Sequence, residues 1–223
     1  MRAKRKPEPS TLRGRRPRWE RAMLRVIDVI AAAVGLAVLA PAMLIVAGII
    51  RLTSRGPALF RQRRVGQGGK PFTLYKFRTM RLGSSDEPLR DMIARELRGE
   101  NTSVDGSFKL DGDPRITSIG SWLRRTSLDE LPQLLNVLRG DMALVGPRPC
   151  LEWEAAMFPP EFAERSAVKP GLTGLWQVSG RSTMGTLDML RLDMVYVRSC
   201  SLQTDLGILA RTLPSMLRGD GAR

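Results

Sequence analysis

The sequence predicts an α/β fold that is mainly helical, carries a small β-hairpin and is attached to a membrane by one re-entrant helix. Three observations lead to this prediction. Residues 29–50 form an apolar segment without a charge. Two runs with strand-like composition, 58–65 and 71–80, flank a glycine-rich turn. The later sequence repeats apolar residues at helical spacing, and a chain of 223 residues is long enough to bury a core.

Positive charge is concentrated in the first third of the chain. Residues 1–81 contain 19 Lys and Arg and three acids, a balance of +16, whereas residues 82–223 contain 17 basic and 19 acidic residues, a balance of −2. A nucleic-acid-binding domain more often spreads basic and aromatic residues over its folded surface. The distribution therefore favours a lipid bilayer over nucleic acid as the partner. Residues 1–20 are predicted to form a disordered basic arm on anionic lipid.

The composition excludes several kinds of catalytic site. The chain has no histidine, so Ser–His and Cys–His nucleophiles and histidine-ligated zinc are ruled out. Its two cysteines, Cys150 and Cys200, are far apart in the sequence. This spacing predicts neither a disulfide framework nor a metal cluster and favours a reducing compartment. Acid–base or nucleophilic work must then fall to Asp, Glu, Lys, Tyr, Ser or Thr.

The apolar segment has the length of a membrane helix. As a straight helix it would reach about 33 Å, enough for the hydrocarbon core of a bilayer, and on pattern alone a single transmembrane anchor is the simplest interpretation. Both flanks are basic, however: ten Lys and Arg precede the segment, and nine lie between Arg51 and Arg81 with no acid among them. A spanning helix would have to translocate one of these flanks, which positive charge disfavours.

Pro41 lies near the middle of this segment. Proline removes a backbone donor and clashes with the preceding turn, and a break here would leave arms of roughly 18 and 14 Å, each too short to cross alone. Residues 21–52 are therefore predicted to form a re-entrant helix that enters and leaves on the cytoplasmic face, with Pro41 as the structural break. Residues 53–223 are then the cytoplasmic domain.

The hairpin predicted after the membrane segment carries two candidate anion-binding side chains. Its turn contains three glycines, but the sequence completes neither a P-loop nor a dinucleotide-binding pattern. Lys76 and Arg78 are two residues apart, so they share one face if the run is extended. Beside a membrane segment, two cations suit an anionic ligand, although a solvated strand face is the simpler interpretation.

The rest of the chain alternates turn-rich and helical patterns. Residues 82–112 are predicted to be an excursion or lid with a short helix near Leu89–Leu97. Two apolar stripes at helical spacing follow, the second ended by Gly140. A Pro-Arg-Pro sequence then fixes the backbone around Arg148, and a loop region punctuated by Gly and Pro covers 168–181. The last segment predicts an amphipathic helix, which suits core packing or the bilayer interface.

An adjacent acid pair, Asp129 and Glu130, precedes the second apolar stripe. Ser127 and Glu130 match a helix capping box, and a cap is the simplest interpretation. A helix N-terminus near Arg124 and Arg125 should also lower the pKa of Asp129 and keep it ionised. An ionised carboxylate is a competent nucleophile toward phosphorus when a divalent cation or arginines offset the repulsion between anions.

Four separated segments closely resemble the bacterial sugar transferase family, the monotopic polyprenyl-phosphate phosphoglycosyl transferases. These segments are "LYKFRTM", "DPRITSIGSWLRRTSLDELPQLLNVLRGDMALVGPRP", "KPGLTGLWQVSGR" and "RLDMVYV". The resemblance runs from about residue 20 to the C-terminus and is to the small form of the family, a catalytic core plus a re-entrant helix. Small members often have Ser-Pro at the membrane break, whereas this chain has Ala40-Pro41, so a serine contribution to the kink is lost.

The resemblance implies a role for each matching position. Asp129 would be the nucleophile that attacks the sugar-linked phosphate of a nucleotide diphospho-sugar, and Glu130 its partner in orientation and proton handling. Mg²⁺ would be held partly by Asp129, since it usually binds one or two carboxylates and substrate phosphates. The remaining implied residues would bind the phosphates and the nucleotide sugar: Lys76, Arg78, Arg148, Gln177 and Arg181. For Gln177 and Arg181, loop scaffolding is an equal alternative.

The reaction implied by the resemblance is the transfer of a sugar-1-phosphate from a nucleotide-sugar donor to undecaprenyl phosphate at the bacterial inner membrane, opening exopolysaccharide, O-antigen or glycan synthesis. Two alternatives remain open: direct displacement with Asp129 only as a Mg²⁺ ligand, and a non-catalytic membrane-tethered adaptor. Asp141 and Asp193 are candidates for orienting arginines, with a structural salt bridge as the simpler role. The sequence leaves open which sugar is transferred and whether the chain forms a homodimer.

Overall fold

The computed structural model describes residues 16–103, 108, 113–180 and 183–218. The helices are α1 (Arg18–Thr53), α2 (Glu87–Leu97), α3 (Ser118–Thr126), α4 (Leu134–Arg139), α5 (Glu152–Met157), α6 (Leu175–Ser179), α7 (Thr186–Ser199) and α8 (Leu202–Arg218). The strands are β1 (Leu59–Val65), β2 (Pro71–Phe77), β3 (Ala143–Val145) and β4 (Gly171–Thr173). Single 3₁₀ segments cover Gln67–Gly69, Leu128–Gln133 and Pro160–Ala167. The predicted mainly helical fold with a small sheet is confirmed.

The predicted hairpin is present as β1 and β2. The two strands pair antiparallel, with Phe60 opposite Lys76 and Arg64 opposite Phe72. Gly68 supplies a positive φ of 67° in the connecting turn, a conformation that costs glycine little. A second small sheet, in which β3 and β4 pair in parallel, was not predicted, because three-residue strands leave almost no periodic pattern.

The predicted membrane segment lies within α1, one helix that continues through Pro41. Pro41 therefore does not interrupt the helical backbone, contrary to the predicted break. By length and composition alone, α1 could cross a membrane. Its apolar surface faces away from the rest of the protein, and Val38, Leu44 and Leu52 are exposed by 70%, 73% and 89%. Large apolar patches of this kind mark contact with a membrane or with another protein.

Both halves of α1 pack on the same domain. Ahead of Pro41, Ala32 lies in a core cluster with Leu134 and Val137 of α4. Beyond it, Val46 and Ile50 lie in a second cluster that includes side chains of β2 and α3. The contacts of α1 with the domain therefore extend over both sides of the proline.

Polar contacts fasten the two ends of α1 as well. At the start, the Leu202 N–H donates to Glu20 Oε1 over 2.6 Å, and Arg16 donates to Asp205 Oδ1 over 2.6 Å. At the end, Arg78 Nη2 donates to the Ser54 carbonyl over 3.0 Å. Residues 16–20, which the sequence assigns to the basic arm, thus pack against the domain because their side chains have buried partners in α7 and α8; residues 1–15 lie outside the described residues.

The segment around the acid pair folds differently from the sequence prediction. Ser127 does not begin a capping box; it adopts a left-handed conformation (φ 56°) as the C-cap of α3. Asp129 and Glu130 then lie in the 3₁₀ segment Leu128–Gln133, ahead of α4. The predicted end of the apolar stripe is confirmed, since Gly140 caps α4 with φ 90°.

Only part of the predicted excursion, 82–112, is described. Its short helix is present as α2, which has Pro88 in the first turn as the sequence predicts. Glu96 of α2 is buried and accepts hydrogen bonds from the N–H and the hydroxyl of Thr186, at the start of α7. This contact docks α2 on the domain.

Candidate active site

The acid pair lies beside the apolar helix α1. The 3₁₀ segment that carries it packs on β2, and Asp129 is 8% exposed. Leu128, the residue directly before Asp129, packs in the same apolar cluster as Val46 and Ile50 of α1. Asp129 is therefore the sequence neighbour of a residue that contacts the apolar helix.

The environment of Asp129 raises the pKa of its carboxyl to about 6. Burial contributes most, because it disfavours the charged form, and the negative charge of Glu130 adds to the effect. The positive charges of Lys76 and Arg124 act in the opposite direction but are outweighed. The prediction that a helix N-terminus lowers this pKa was wrong, since Asp129 is buried in a 3₁₀ turn beside a second carboxylate.

Lys76 lies among several other cations close to the acid pair. It lies on β2, with Nζ 5.3 Å from the ring centre of Phe60 on β1. Burial, helped by the positive charges of Arg64, Arg124 and Arg148, lowers the pKa of its amine to about 8, and the negative charge of Asp129 opposes this shift. The pKa of Arg64 is lowered to about 10 by burial and by the charge of Arg148.

Four basic side chains and one acid pair thus share a single region. Burial lowers the pKa values of Lys76, Arg64 and Arg124 most, and repulsion from neighbouring positive charges lowers them further. A ligand with several negative charges relieves this repulsion when it binds. We call this set the cationic cluster: Lys76, Arg64, Arg124 and Arg148.

Arg148 is an exposed side chain on a fixed backbone. It is flanked by the buried Pro147 and Pro149, and its carbonyl accepts a hydrogen bond from Arg165. Arg165 is held in turn by Asp193, with 2.7 Å between Nε and Oδ2. Of the two acids predicted to orient arginines, Asp193 therefore does so, whereas Asp141 accepts from the amide of Asn136.

The loop region after β4 comes close to Arg148. Trp176 of α6 lies under the Arg148 guanidinium, 5.9 Å from carbon to ring centre, and its indole Nε1 is buried without a hydrogen-bond partner among the described residues. Gln177, the next residue, has an unpartnered buried Oε1 as well. Arg181 lies outside the described residues.

Arg78, the residue directly after β2, binds the end of α1. Its guanidinium donates to the carbonyls of Ser54, Arg55 and Gly56, just past the end of α1. These carbonyls lack helical partners, so Arg78 satisfies them and fixes α1 to the hairpin. The structure brings Lys76 to the acid pair, Arg148 to Lys76 and Arg124, and Arg78 to the end of α1.

Sequence reasoning did not include Arg64 and Arg124 among the phosphate-binding residues. Strand alternation would have found Arg64, because pairing Phe60 with Lys76 puts residues 60, 62 and 64 on the face of Lys76. Arg124 was named as a neighbour of Asp129 from sequence proximity alone. Arg124 reaches the region of Asp129 because the chain turns at Ser127, and no local sequence pattern predicted this turn.

The chain is similar in sequence to several transferases that act on sugars. It is 40% identical to a galactosyl transferase of Streptococcus agalactiae, over 89% of this chain and 43% of that protein. It is 46% identical to an undecaprenyl-phosphate galactose phosphotransferase of Salmonella typhimurium, over 75% of this chain and 35% of the relative. A UDP-glucose:undecaprenyl-phosphate glucose-1-phosphate transferase of Caulobacter vibrioides is 46% identical, over 89% of this chain and 71% of that protein.

The chain therefore spans less than half the length of the first two relatives. The matched part nevertheless includes every described element of the site, because the family model for bacterial sugar transferases matches residues 19–219. This range contains the apolar helix, the acid pair and the cationic cluster. The chain belongs to the bacterial sugar transferase family.

Proposed function

We propose that this chain transfers a sugar-1-phosphate from a UDP-sugar to undecaprenyl phosphate, releasing UMP, through a covalent phosphosugar on Asp129. The observation that carries this proposal is the position of Asp129. It is buried near the cationic cluster, and its sequence neighbour Leu128 packs on the apolar helix α1. A carboxylate there is available to phosphorus, the cations suit a diphosphate, and the helix suits an acceptor with a lipid tail. The relatives named above support the donor and the acceptor.

The first half-reaction forms a bond between a carboxylate oxygen of Asp129 and the phosphorus that carries the sugar. The bond from that phosphorus to the oxygen of UMP breaks, and UMP leaves with the electron pair. Lys76 and Arg148 bind the phosphates and offset the negative charge that accumulates in the transition state. An arginine fork can contact two phosphate oxygens at once.

The second half-reaction regenerates Asp129. An oxygen of undecaprenyl phosphate attacks the same phosphorus, the bond to the Asp129 oxygen breaks, and the product is a polyprenyl diphosphate–sugar. Glu130 orients the reacting phosphates and accepts a proton when the acceptor arrives as a monoanion. Both steps use the same cations, so one site serves a double displacement.

The residues present fit Mg²⁺. Asp129 and Glu130 are adjacent carboxylates, and the negative charge of Glu130 helps to raise the pKa of Asp129, as expected of a carboxylate that a bound cation would stabilise. Magnesium typically takes one or two carboxylates and completes its coordination with water and substrate phosphates. When bound, Mg²⁺ would neutralise the diphosphate, and Asp129 with Glu130 would hold it.

The proposed location is the cytoplasmic face of the bacterial inner membrane, with α1 re-entrant rather than spanning. A straight helix of the length of α1 would cover about 54 Å, and if it crossed a bilayer, its two ends would lie on opposite sides. Residues near both ends of α1 contact one domain, which supports insertion from one side. A reporter fused to the N-terminus should remain cytoplasmic; its appearance in the periplasm would contradict this topology.

Activity is tested with purified full-length protein, undecaprenyl phosphate and a panel of UDP-sugars, scored by UMP release. The names of the relatives make UDP-galactose and UDP-glucose the first donors to try. In the absence of acceptor, a donor labelled in the sugar should leave a label on the protein, and the label should be lost in Asp129→Asn.

This trapping experiment also separates the alternatives. Kinetics that require a ternary complex, with no label on the protein, would favour direct displacement with Asp129 only as a Mg²⁺ ligand. An adaptor that only docks other proteins would release no UMP with any donor and would retain its role in Asp129→Asn.

A further inference from the structure

A second cavity lies apart from the acid pair, where α1 meets the hairpin and α3. It has a volume of about 590 Å³, within the range of small-molecule sites. Its walls are the end of α1, the segment after β2 and the first turn of α3. We call it the arginine cavity, because Arg55, Arg78 and Arg81 line it.

The lining is positively charged. Three arginines and no carboxylate are among its residues. Arg78 is 4% exposed and, although its terminal nitrogens bind the end of α1, its Nε lacks a hydrogen-bond partner among the described residues. Arg55 and Arg81 are exposed side chains and are free to close on a ligand.

The first turn of α3 adds backbone donors to the same cavity. Thr117, Ser118 and Ile119 line it, and Thr117 is the N-cap, with its hydroxyl accepting from the Gly120 N–H. The N–H groups of the first helical residues have no acceptor within their own helix. Together with the helix dipole, they favour an anion, and phosphate above all.

Apolar surface borders the cavity on the membrane side. Leu82 lines it and is 61% exposed, and Leu52, next to Thr53 of the lining, is 89% exposed. These side chains continue the exposed apolar face of α1. A ligand that fits here has a phosphate for the arginines and an acyl chain for the leucines.

The lining of this cavity does not overlap with the candidate active site. It includes neither Asp129 nor Glu130 and no member of the cationic cluster. Its α3 wall is the first turn of that helix, whereas Asp129 follows the last turn. A ligand of the arginine cavity is therefore held by other side chains than those proposed to bind the reacting phosphates.

We propose that the arginine cavity binds the phosphate headgroup of an anionic glycerophospholipid from the surrounding bilayer. The bound lipid joins α1 to the hairpin and α3, because each of these elements supplies part of the wall. It therefore stabilises the arrangement in which the acid pair faces the membrane. This site goes beyond the proposed transfer reaction and does not depend on it.

The test measures the thermal unfolding of the full chain in a neutral detergent, titrated with short-chain phosphatidylglycerol. Phosphatidylcholine with the same chains and inorganic phosphate are titrated in parallel. We expect saturable stabilisation by phosphatidylglycerol, at least about fivefold tighter than by phosphatidylcholine, and an approximately tenfold weaker effect in the double variant Arg55→Gln/Arg81→Gln, as expected from loss of charged phosphate contacts.

Two further variants serve as controls for the loss of charge and for misfolding. Arg51→Gln/Lys70→Gln removes the same charge from exposed positions outside the cavity lining and should retain the lipid preference. Ser118→Glu leaves the arginines in place and puts an acid in the first turn of α3, which suits the helix but repels a phosphate. It should lose the preference while remaining folded.

Three results would overturn the proposal. The first is an unchanged preference for phosphatidylglycerol in both Arg55→Gln/Arg81→Gln and Ser118→Glu. The second is an equal loss in the Arg51→Gln/Lys70→Gln control, which would indicate general charge attraction. The third is equal protection by inorganic phosphate, which would assign the cavity to a free anion instead of a lipid.

Discussion

Two buried aspartates of this protein are held in different ways. Asp193 is fully buried, and its Oδ2 lies 2.7 Å from Arg165 Nε. Asp129 is nearly as buried at 8% exposure, yet none of the ion pairs within 4.0 Å among the described residues includes it. Lys76 and Arg124 influence its charge without contacting it.

The difference separates a structural carboxylate from the proposed nucleophile. Asp193 uses its charge to hold Arg165, which in turn holds the backbone of Arg148. Asp129 has cations nearby whose donors are left for a ligand. A carboxylate that already has a guanidinium in contact cannot attack phosphorus without giving up that partner. Burial alone would not have distinguished the two; the presence or absence of a direct contact does.

The largest expected effect is on activity, in Asp129→Asn. Loss of the nucleophile should reduce UMP release at least about a thousandfold. The free energy of unfolding should stay the same or rise, because burial and Glu130 disfavour the charge at this position more than Lys76 and Arg124 favour it. Parallel measurement of UMP release and thermal unfolding checks both parts, and a clear loss of stability would make Asp129 structural like Asp193.

The largest expected effect on stability is in Asp193→Asn. This substitution leaves the buried guanidinium of Arg165 without its counter-charge, which typically costs about 3 kcal/mol or more. Denaturant unfolding should show this loss. Activity of the fraction that remains folded should fall far less than in Asp129→Asn. A stable but inactive Asp193→Asn would break the distinction between the two aspartates.

A smaller effect is expected on the pH profile, in Lys76→Met. The positive charge of Lys76 lowers the pKa of Asp129, which nevertheless lies at about 6. Removing Lys76 raises that pKa further. Since only the ionised carboxylate attacks, the rate is lost as the pH falls below this pKa. The acid limb of UMP release should therefore move to higher pH by about one unit or less. Lys70→Met, on the exposed hairpin turn, should leave the profile in place.

The smallest effect is expected at an aspartate whose ion pair is in water. Asp188 Oδ1 lies 2.8 Å from Arg191 Nη1, with side chains 60% and 68% exposed. Exposed pairs contribute little, so Asp188→Asn should change the free energy of unfolding by less than about 0.5 kcal/mol. A cost near that of Asp193→Asn would show that contact, without burial, is enough to make an aspartate structural.

The parts of this fold that local pattern determines were predicted from the sequence. Strand composition and glycines located the hairpin, an uncharged run located α1, and Gly140 ended α4 where expected. The site was predicted less fully, because its properties depend on which segments meet. The pKa of Asp129 rises through burial, which no neighbouring residue in the sequence reveals, and Arg64 reaches the site through strand pairing. Ser127 matched the start of a capping box, but it has a left-handed backbone and ends α3 instead.

The contacts at the start of α1 also set an order of events during folding. Glu20 is bonded to Leu202 and Arg16 to Asp205, with 182 and 189 residues of sequence between the partners. At a synthesis rate of about 5–20 residues per second, α8 appears roughly ten to forty seconds after α1. The apolar helix is therefore complete well before its polar partners exist, and α8 supplies the last contacts that hold the start of α1 to the domain.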